Sequence, residues 1–170
     1  LKNIEVELNN AGAALFGVAD FVPPLMEYVK KYDATLNFNC NLISVDGPNQ
    51  KAIFAVKDAD GNTSQIEKSF DMLHVVPPQG PQDCMIGSPI ANAEGWVDVD
   101  QYSLQHTRYP NIFGLGDCCS SPNSKTAAAA RKQVVVVAEN LLAHKNHQAM
   151  PLKYDGYGSC PLTVERGKIV

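Results

Sequence analysis

The feature that most limits how this chain can fold is an apolar segment that ends in Gly-Asp and precedes a helix of small residues. Residues 112–117 predict a strand that ends at Gly116 and Asp117, and residues 125–144 predict a helix with Ser124 as its N-cap. Glycine lets a ligand approach the backbone, aspartate accepts hydrogen bonds from sugar-type hydroxyls, and a helix N-terminus favours an anion. The pattern therefore indicates a ligand site, although the Gly-Asp dipeptide alone also fits an ordinary turn at a strand end.

The segments before this pattern predict a β-α-β unit followed by a β-meander. Residues 4–8 alternate as a strand, and residues 21–31 have the apolar spacing of a helix, with Pro23 and Pro24 in its first turn. Further strands are predicted at residues 35–38, 42–45, 51–57, 63–70 and 96–99, and residues 161–170 predict the start of a hairpin. Residues 71–76 form an apolar run typical of a strand covered on both faces, as in a parallel sheet. The expected fold class is α/β, with boundaries near Ser69 and Pro151.

Charge and composition exclude several classes of function. The net charge of -4 gives no electrostatic case for binding nucleic acid. No run reaches the ~18–20 apolar residues that a membrane-spanning helix needs. The five cysteines are odd in number and include no C-x-x-C pair, which argues against both a zinc site and a disulfide scaffold.

A second candidate site is a glycine-rich, aromatic loop that presents one thiol. The loop is Tyr154-Asp-Gly-Tyr-Gly-Ser-Cys-Pro-Leu162, in which Pro161 fixes the backbone directly after Cys160. A cysteine reacts as the thiolate, so a reactive Cys160 needs a nearby positive group or helix N-terminus. The alternative is a structural cysteine in a tight loop. Tyr154 and Tyr157 are expected either to pack within the loop or to contact a ligand.

Several ordered motifs together resemble the sulfide:quinone oxidoreductase family, in the branch that includes the mitochondrial enzyme. The string Tyr109-Pro-Asn-Ile-Phe-Gly-Leu-Gly-Asp117 resembles the second flavin-binding motif of the pyridine-nucleotide-disulfide oxidoreductase superfamily. The cysteine loop, the Pro77-Pro78 pair and the Ser124-Lys125-Thr126 segment resemble the family in the same order, as do these further segments: Gly12-Ala13, Phe16-Gly17-Val18, residues 71–75, Gly95–Asp100, Leu104-Gln105-His106 and Ala127–Ala129.

The resemblance implies a flavoprotein with a partial two-dinucleotide-binding-domain fold. Residues 1–69 would be the rear part of an NAD(P)-binding-like domain, residues 70–150 the rear part of the FAD domain, and residues 151–170 the start of a C-terminal interface region. Gly116, Asp117, Pro78 and Lys125 would bind FAD, with the Lys125 charge favouring reduced, anionic species. No metal ligand is implied.

The resemblance also implies a reaction and its partners. In the family, sulfide attacks a cysteine-sulfur bridge and leaves a persulfide, and electrons pass through FAD to a quinone. Sulfane sulfur then leaves to an acceptor such as sulfite or glutathione. Cys160 would be one of two redox cysteines. We expect peripheral contact with a bacterial cytoplasmic or mitochondrial inner membrane, made by parts outside this chain, and self-association is possible.

The chain also departs from the family pattern. The Gly-x-Gly-x-x-Gly fingerprint is absent and no cysteine matches the second redox cysteine, so we expect an incomplete enzyme, a fragment inactive alone. Two other reductases of the superfamily stay open: flavocytochrome c sulfide dehydrogenase and type II NADH:quinone reductase. A non-catalytic binding or assembly domain stays open as well. Cys118 and Cys119 are expected to pack as ordinary residues, His74 to be a core histidine, and the remaining histidines to lie on the surface: His106, His144 and His147.

Overall fold

The computed structural model describes residues 3–169, which combine helices and strands as the sequence predicts. Two α-helices and seven strands occur in this part of the chain: β1 (Val6–Asn9), α1 (Val22–Lys31), β2 (Ala34–Asn37), β3 (Cys40–Asp46), β4 (Lys51–Lys57), β5 (Thr63–Ser69), α2 (Ala127–Lys145), β6 (Thr163–Glu165) and β7 (Lys168–Ile169). The chain divides into two compact units. Residues up to 76 with 164–168 form the first, and residues 77–163 lie in the second.

The first unit contains the predicted β-α-β arrangement. Strands β1 and β2 pair in parallel, from Val6 opposite Ala34 to Asn9 opposite Asn37, and α1 connects them. Two prolines follow Val22 in the first turn of α1, where a missing N–H costs little. Two lysines occupy the last turn, where positive charge suits the helix dipole. The prediction for residues 4–38 is therefore confirmed.

The predicted β-meander is also present in the first unit. Strands β3, β4 and β5 form an antiparallel sheet in sequence order. The side chains of Cys40, Ala52 and Phe54 are buried on one face, with Leu42 and Val56 packed against them. The alternating apolar residues of β4 therefore face a small core, as the sequence pattern indicates.

The predicted strand at residues 71–76 is wrong. The segment has no regular secondary structure, and the side chains of Met72 and Val76 are 86% and 80% exposed. A buried strand needs a neighbour that supplies hydrogen bonds, and no strand among residues 3–169 pairs with this segment. His74 is exposed, so its predicted place in the core is also wrong.

In the second unit, the predicted strands at residues 96–99 and 112–117 are wrong as strands. The structure has only isolated bridges there, including Val97 with Cys119 and Gln105 with Phe113. Turns and side-chain hydrogen bonds replace a continuous ladder. A buried cluster nevertheless forms around these bridges, and its members are Val97, Val99, Leu104, Cys119, Val136 and Tyr154.

Helix α2 is the longest element of the second unit and begins two residues later than predicted. Its N-cap is Thr126 rather than Ser124, because the Thr126 hydroxyl accepts a hydrogen bond from the Ala129 N–H at 3.1 Å. The β-branched run at residues 134–137 is helical, since tertiary packing overrides its weak propensity. The buried face recurs at helical spacing: Ala129, Gln133, Val136, Asn140 and Ala143.

The C-terminal hairpin of β6 and β7 is present as predicted. Within the first unit, Glu165 accepts a hydrogen bond from Lys31 at 2.7 Å, and the Lys168 ammonium lies 2.9 Å from its other oxygen. The Tyr32 hydroxyl donates to the Val164 carbonyl at 3.1 Å. These polar contacts fasten the hairpin to the end of α1. Within residues 3–169 no helix has the length and apolar character needed to cross a bilayer.

Candidate functional site

A pocket of about 280 Å³ in the second unit contains two of the predicted ligand-binding residues. Asp117 and Lys125 both contribute to its wall, and Cys118 lies beside them. The full lining is Gln79, Gly80, Gln82, Met85, Gly95, Trp96, Asp117, Cys118 and Lys125. The pocket therefore combines a carboxylate, an ammonium group, a thiol and an indole ring.

The turn at Gly116 and Asp117 begins a single turn of 3-10 helix, Gly116–Cys118. Gly116 has a φ of +68°, a left-handed conformation that glycine adopts without a Cβ penalty. A Cβ atom at this position would lie 3.6 Å from the Cβ of Ala130, an ordinary contact distance. Conformation rather than space therefore calls for glycine here, and Asp117 is exposed at the pocket wall.

A buried amide that the sequence analysis missed holds this turn. The Gly116 N–H donates to Oε1 of Gln133 at 2.7 Å, and the Gln133 side chain is only 1% exposed. Its Nε2 donates to the Asn123 side-chain oxygen at 3.1 Å, which also accepts from the Ser121 hydroxyl at 2.6 Å. Both the oxygen and the nitrogen of the Gln133 amide therefore have hydrogen-bond partners, and this side chain attaches the turn to α2.

Lys125 supplies a fixed positive charge at the pocket wall. Its ammonium donates to the Cys119 carbonyl at 2.6 Å and lies 4.3 Å from the centre of the Trp96 ring. Cation–π attraction to an indole ring adds to this hydrogen bond. Both contacts hold a half-buried lysine in one orientation, in which its charge favours an anionic group in the pocket.

Three predicted site residues are not among those that line this pocket: Gly116, which directly precedes the lining residue Asp117, Pro78 and Cys160. Pro78 is exposed and directly precedes the lining residue Gln79. Cys160 is an exposed free thiol. The structure therefore brings Asp117 and Lys125 together at the pocket wall, while Gly116, Pro78 and Cys160 lie outside it.

The loop that carries Cys160 is anchored at its start. The Tyr154 side chain is 3% exposed, its N–H donates to the Tyr102 carbonyl at 2.7 Å, and its hydroxyl donates to the Tyr157 carbonyl. Tyr157 is exposed, with the Lys132 ammonium 5.6 Å from its ring centre. Tyr154 therefore packs in the loop, the first of the two roles the sequence left open.

The two adjacent cysteines face different environments. Cys118 is exposed at the pocket, whereas Cys119 is buried in the core cluster and its thiol donates to the Gly116 carbonyl at 3.4 Å. Burial raises the pKa of the Cys119 thiol, so this sulfur stays protonated near neutral pH. The expectation of ordinary packing is confirmed for Cys119, while Cys118 borders the pocket.

His106 is buried, so its predicted surface location is wrong. Its side chain is 3% exposed, and Nε2 lies 2.9 Å from the Ile90 carbonyl. Nδ1 accepts hydrogen bonds from the N–H groups of Arg108 and Tyr109, which leaves the proton on Nε2 as a donor to Ile90. The ring therefore links two backbone segments by hydrogen bonds, a role that hydrophobic periodicity does not reveal. His144 is half-buried against Phe113, and His147 is exposed.

The arrangement can hold a ligand that carries hydroxyl groups and a negative charge. Left-handed Gly116 allows close approach to the backbone, the exposed Asp117 carboxylate can accept hydrogen bonds from hydroxyls, and the anchored Lys125 ammonium can balance negative charge. Within residues 3–169, no cluster of three or more histidine, cysteine or acidic side chains could hold a metal ion.

Fold and pocket together define part of an α/β protein that presents a Gly-Asp turn and a fixed cation to a ligand. Sequence comparison identifies the similar proteins. The chain is 40% identical to mitochondrial sulfide:quinone oxidoreductase of Mus musculus over 95% of its length. The protein of the same name from Dictyostelium discoideum is 39% identical over 98%, and that of Schizosaccharomyces pombe is 35% identical over 99%. The chain is therefore similar in sequence to the mitochondrial sulfide:quinone oxidoreductases over nearly its whole length, and the resemblance that its motifs predict is confirmed.

These relatives are much longer than the chain. It spans 36% of the mouse and Dictyostelium proteins and 37% of the Schizosaccharomyces protein. No protein-family model matches it. Among solved structures, it matches a chain in the cryo-EM structure of Tetrahymena thermophila mitochondrial ATP synthase, with a TM-score of 0.76 and 28% identity. That match covers 93% of this chain and 37% of the other.

Proposed function

We propose that this chain is the C-terminal part of an FAD-dependent sulfide:quinone oxidoreductase. The intact enzyme oxidises sulfide to sulfane sulfur and passes the electrons to a quinone, and the sulfur leaves to an acceptor such as sulfite or glutathione. The observation that carries this proposal is identity of 35–40% to three such enzymes over nearly the whole chain. The pocket that Asp117 and Lys125 both line adds support.

The second unit would contribute one wall of the FAD site. Asp117 accepts hydrogen bonds from ribityl or neighbouring hydroxyls, Gly116 offers its backbone, and Lys125 balances the negative charge of the reduced cofactor. Pro78 belongs to the rim beside Gln79. FAD supplies the chemistry of accepting two electrons and passing them on. Residues 1–69 and 70–150 would be the rear parts of two dinucleotide-binding domains, and residues 151–170 the start of the interface region.

Cys160 would be one sulfur of the redox pair. Attack of sulfide on a cysteine-sulfur bridge forms one S–S bond and breaks another, which leaves a persulfide on one cysteine and a thiolate on the other. The exposed position of the Cys160 thiol suits such a reaction. No cysteine of this chain matches the second redox cysteine by motif, so the proposal assigns only one member of the pair here.

We place the intact protein at a membrane surface. The three relatives are named mitochondrial, which favours the mitochondrial inner membrane over a bacterial cytoplasmic membrane. A quinone dissolves in the bilayer, so its reductase must reach the lipid surface. Contact through parts outside this chain, and self-association of the protein, belong to the same proposal.

The deciding experiment measures sulfide-dependent bleaching of the flavin absorbance in the complete polypeptide that carries this sequence. Cys160→Ser is expected to keep the bound flavin and to lose bleaching by sulfide. Cys84→Ser is the matched control, because Cys84 is also an exposed free thiol and lies outside the cysteine loop. Normal bleaching in Cys160→Ser would contradict the role given to this cysteine. Bleaching by NADH instead of sulfide would favour a type II NADH:quinone reductase, and sulfide bleaching with electrons passed to a cytochrome rather than a quinone would favour a flavocytochrome c.

A second candidate is a non-catalytic assembly role. Its support is the match to a chain in the Tetrahymena mitochondrial ATP synthase, which shares this fold over 93% of the present chain. Under this alternative the complete polypeptide purifies in a large assembly, carries no flavin, and gives no bleaching with sulfide. Stoichiometric flavin in the purified protein would exclude it.

A further inference from the structure

Helix α2 carries two buried amides on one face, at Gln133 and Asn140. Their side chains are 1% and 0% exposed. Seven residues separate them, which is about two helical turns and roughly 10 Å along the axis. Amides in such positions are costly unless every polar atom has a partner, so their hydrogen bonds indicate what each one does.

Gln133 binds the turn at the pocket. Its Oε1 accepts from the Gly116 N–H at 2.7 Å, and its Nε2 donates to the Asn123 side chain at 3.1 Å. An apolar side chain at this position would leave the Gly116 N–H without its acceptor. The amide therefore fixes the peptide that precedes Asp117.

Asn140 binds the segment that leads to the cysteine loop. Its Nδ2 donates to the Ser103 carbonyl at 3.1 Å and to the Leu152 carbonyl at 3.0 Å. Its Oδ1 accepts from the Leu152 N–H at 3.1 Å. Both polar groups of Leu152 are thus held by one side chain, as a neighbouring strand would hold them.

Tyr154 continues this connection toward Cys160. It packs in the cluster that contains Cys119 and Val136, and its hydroxyl donates to the Tyr157 carbonyl. Burial raises the pKa of the Tyr154 phenol, and the nearby Gln133 side chain opposes that rise. The start of the cysteine loop therefore packs against the same helix face that holds the turn at the pocket.

We propose that Gln133 and Asn140 are positioning residues that use α2 as a rigid spacer between the Gly116–Asp117 turn and the loop of Cys160. The helix fixes the spacing, and each amide attaches one functional segment to it. This inference rests on the proposed function, because that function requires the Cys160 thiol to be held at a fixed distance from the flavin.

The test compares Gln133→Met and Asn140→Leu, which keep side-chain size and remove the amides. In the complete, flavin-loaded polypeptide, Gln133→Met is expected to raise the flavin Kd at least tenfold. Asn140→Leu is expected to leave that Kd within threefold and to slow sulfide-dependent bleaching at least tenfold. The controls are Val134→Ala and Glu139→Gln, which change exposed neighbours on the same helix.

A measurement without flavin separates this inference from the proposed function. In the 170-residue chain, the rate of iodoacetamide alkylation at Cys160 is read by peptide mass spectrometry. Asn140→Leu is expected to change this rate at least twofold, while Glu139→Gln leaves it unchanged. If the parent protein never bleaches with sulfide, the proposed function fails, but the alkylation rate still decides whether Asn140 orders the loop.

A milder variant covers the case in which Asn140→Leu does not fold. Tyr154→Phe removes only the hydroxyl bond to the Tyr157 carbonyl and keeps the buried ring. It should also change the Cys160 alkylation rate at least twofold. Changes below twofold in every folded variant would overturn the proposal.

Discussion

Replacing Gly116 separates backbone strain from steric exclusion at the pocket. A Cβ atom at this position meets only the Cβ of Ala130, at 3.6 Å, so Gly116→Ala creates no collision. The φ of +68° is left-handed, and an alanine in that conformation costs about 1–2 kcal/mol. For a chain of this length, each kcal/mol lowers Tm by about 2–4 °C, so the expected loss is roughly 2–8 °C.

The companion variant Gly116→Asn tests whether the loss of stability arises from the left-handed φ. Asparagine tolerates the left-handed region, so it should recover most of the lost Tm relative to alanine. Its side chain still projects from the backbone, and flavin binding should therefore weaken in both variants. Thermal unfolding followed by circular dichroism gives the first quantity, and flavin titration of the complete polypeptide gives the second. Equal destabilisation by alanine and asparagine would refute the assignment of the cost to φ.

Three further outcomes are expected. Gly114→Ala should cost about 1–3 kcal/mol in urea unfolding, because its Cβ would lie 3.0–3.2 Å from core side chains, and an unchanged midpoint would contradict this packing. Thr126→Ala should cost about 1 kcal/mol by loss of the α2 N-cap, with Ser124→Ala as a neutral control in the same assay. Lys31 and Lys168 lower the pKa of Glu165 to about 2, so the stability it adds is present above the ordinary carboxyl pKa and disappears as pH falls through about 2. Glu165→Gln should therefore lower the unfolding midpoint at pH 6 but not at pH 1.5, and an equal effect at both would show that the charge is irrelevant.

Local patterns predicted most of the first unit well. The alternation of β4 and the spacing of α1 depend on neighbours close in sequence, so residues 51–57 were placed as a strand and residues 21–31 as a helix in agreement with the structure. The hairpin after Pro161 was predicted on the same basis. In these segments the chain pairs mainly with itself over short separations.

Local patterns fail at the end of the first unit and in the second unit. Residues 71–76 are apolar enough for a buried strand, yet their exposure follows from the lack of a pairing strand within the described residues. Gln133 is a polar residue within the predicted helix, and its role depends on a backbone N–H 17 positions away. His106 likewise acts on carbonyl and N–H groups of loops. Only tertiary contacts reveal such partners, whereas Asp117 and Lys125 were predicted because a family motif contains them.

Labelling of the neighbouring thiols of Cys118 and Cys119 can report local opening of the protein within a single peptide. One lies open to reagent and the other is sealed in the core, so adducts in the native molecule should accumulate on the first and reach the second only during opening events. Because both sulfurs share one digestion fragment, the ratio of doubly to singly labelled peptide cancels differences in recovery. Two cysteines adjacent in sequence thus provide an internal measure of how often this part of the molecule opens.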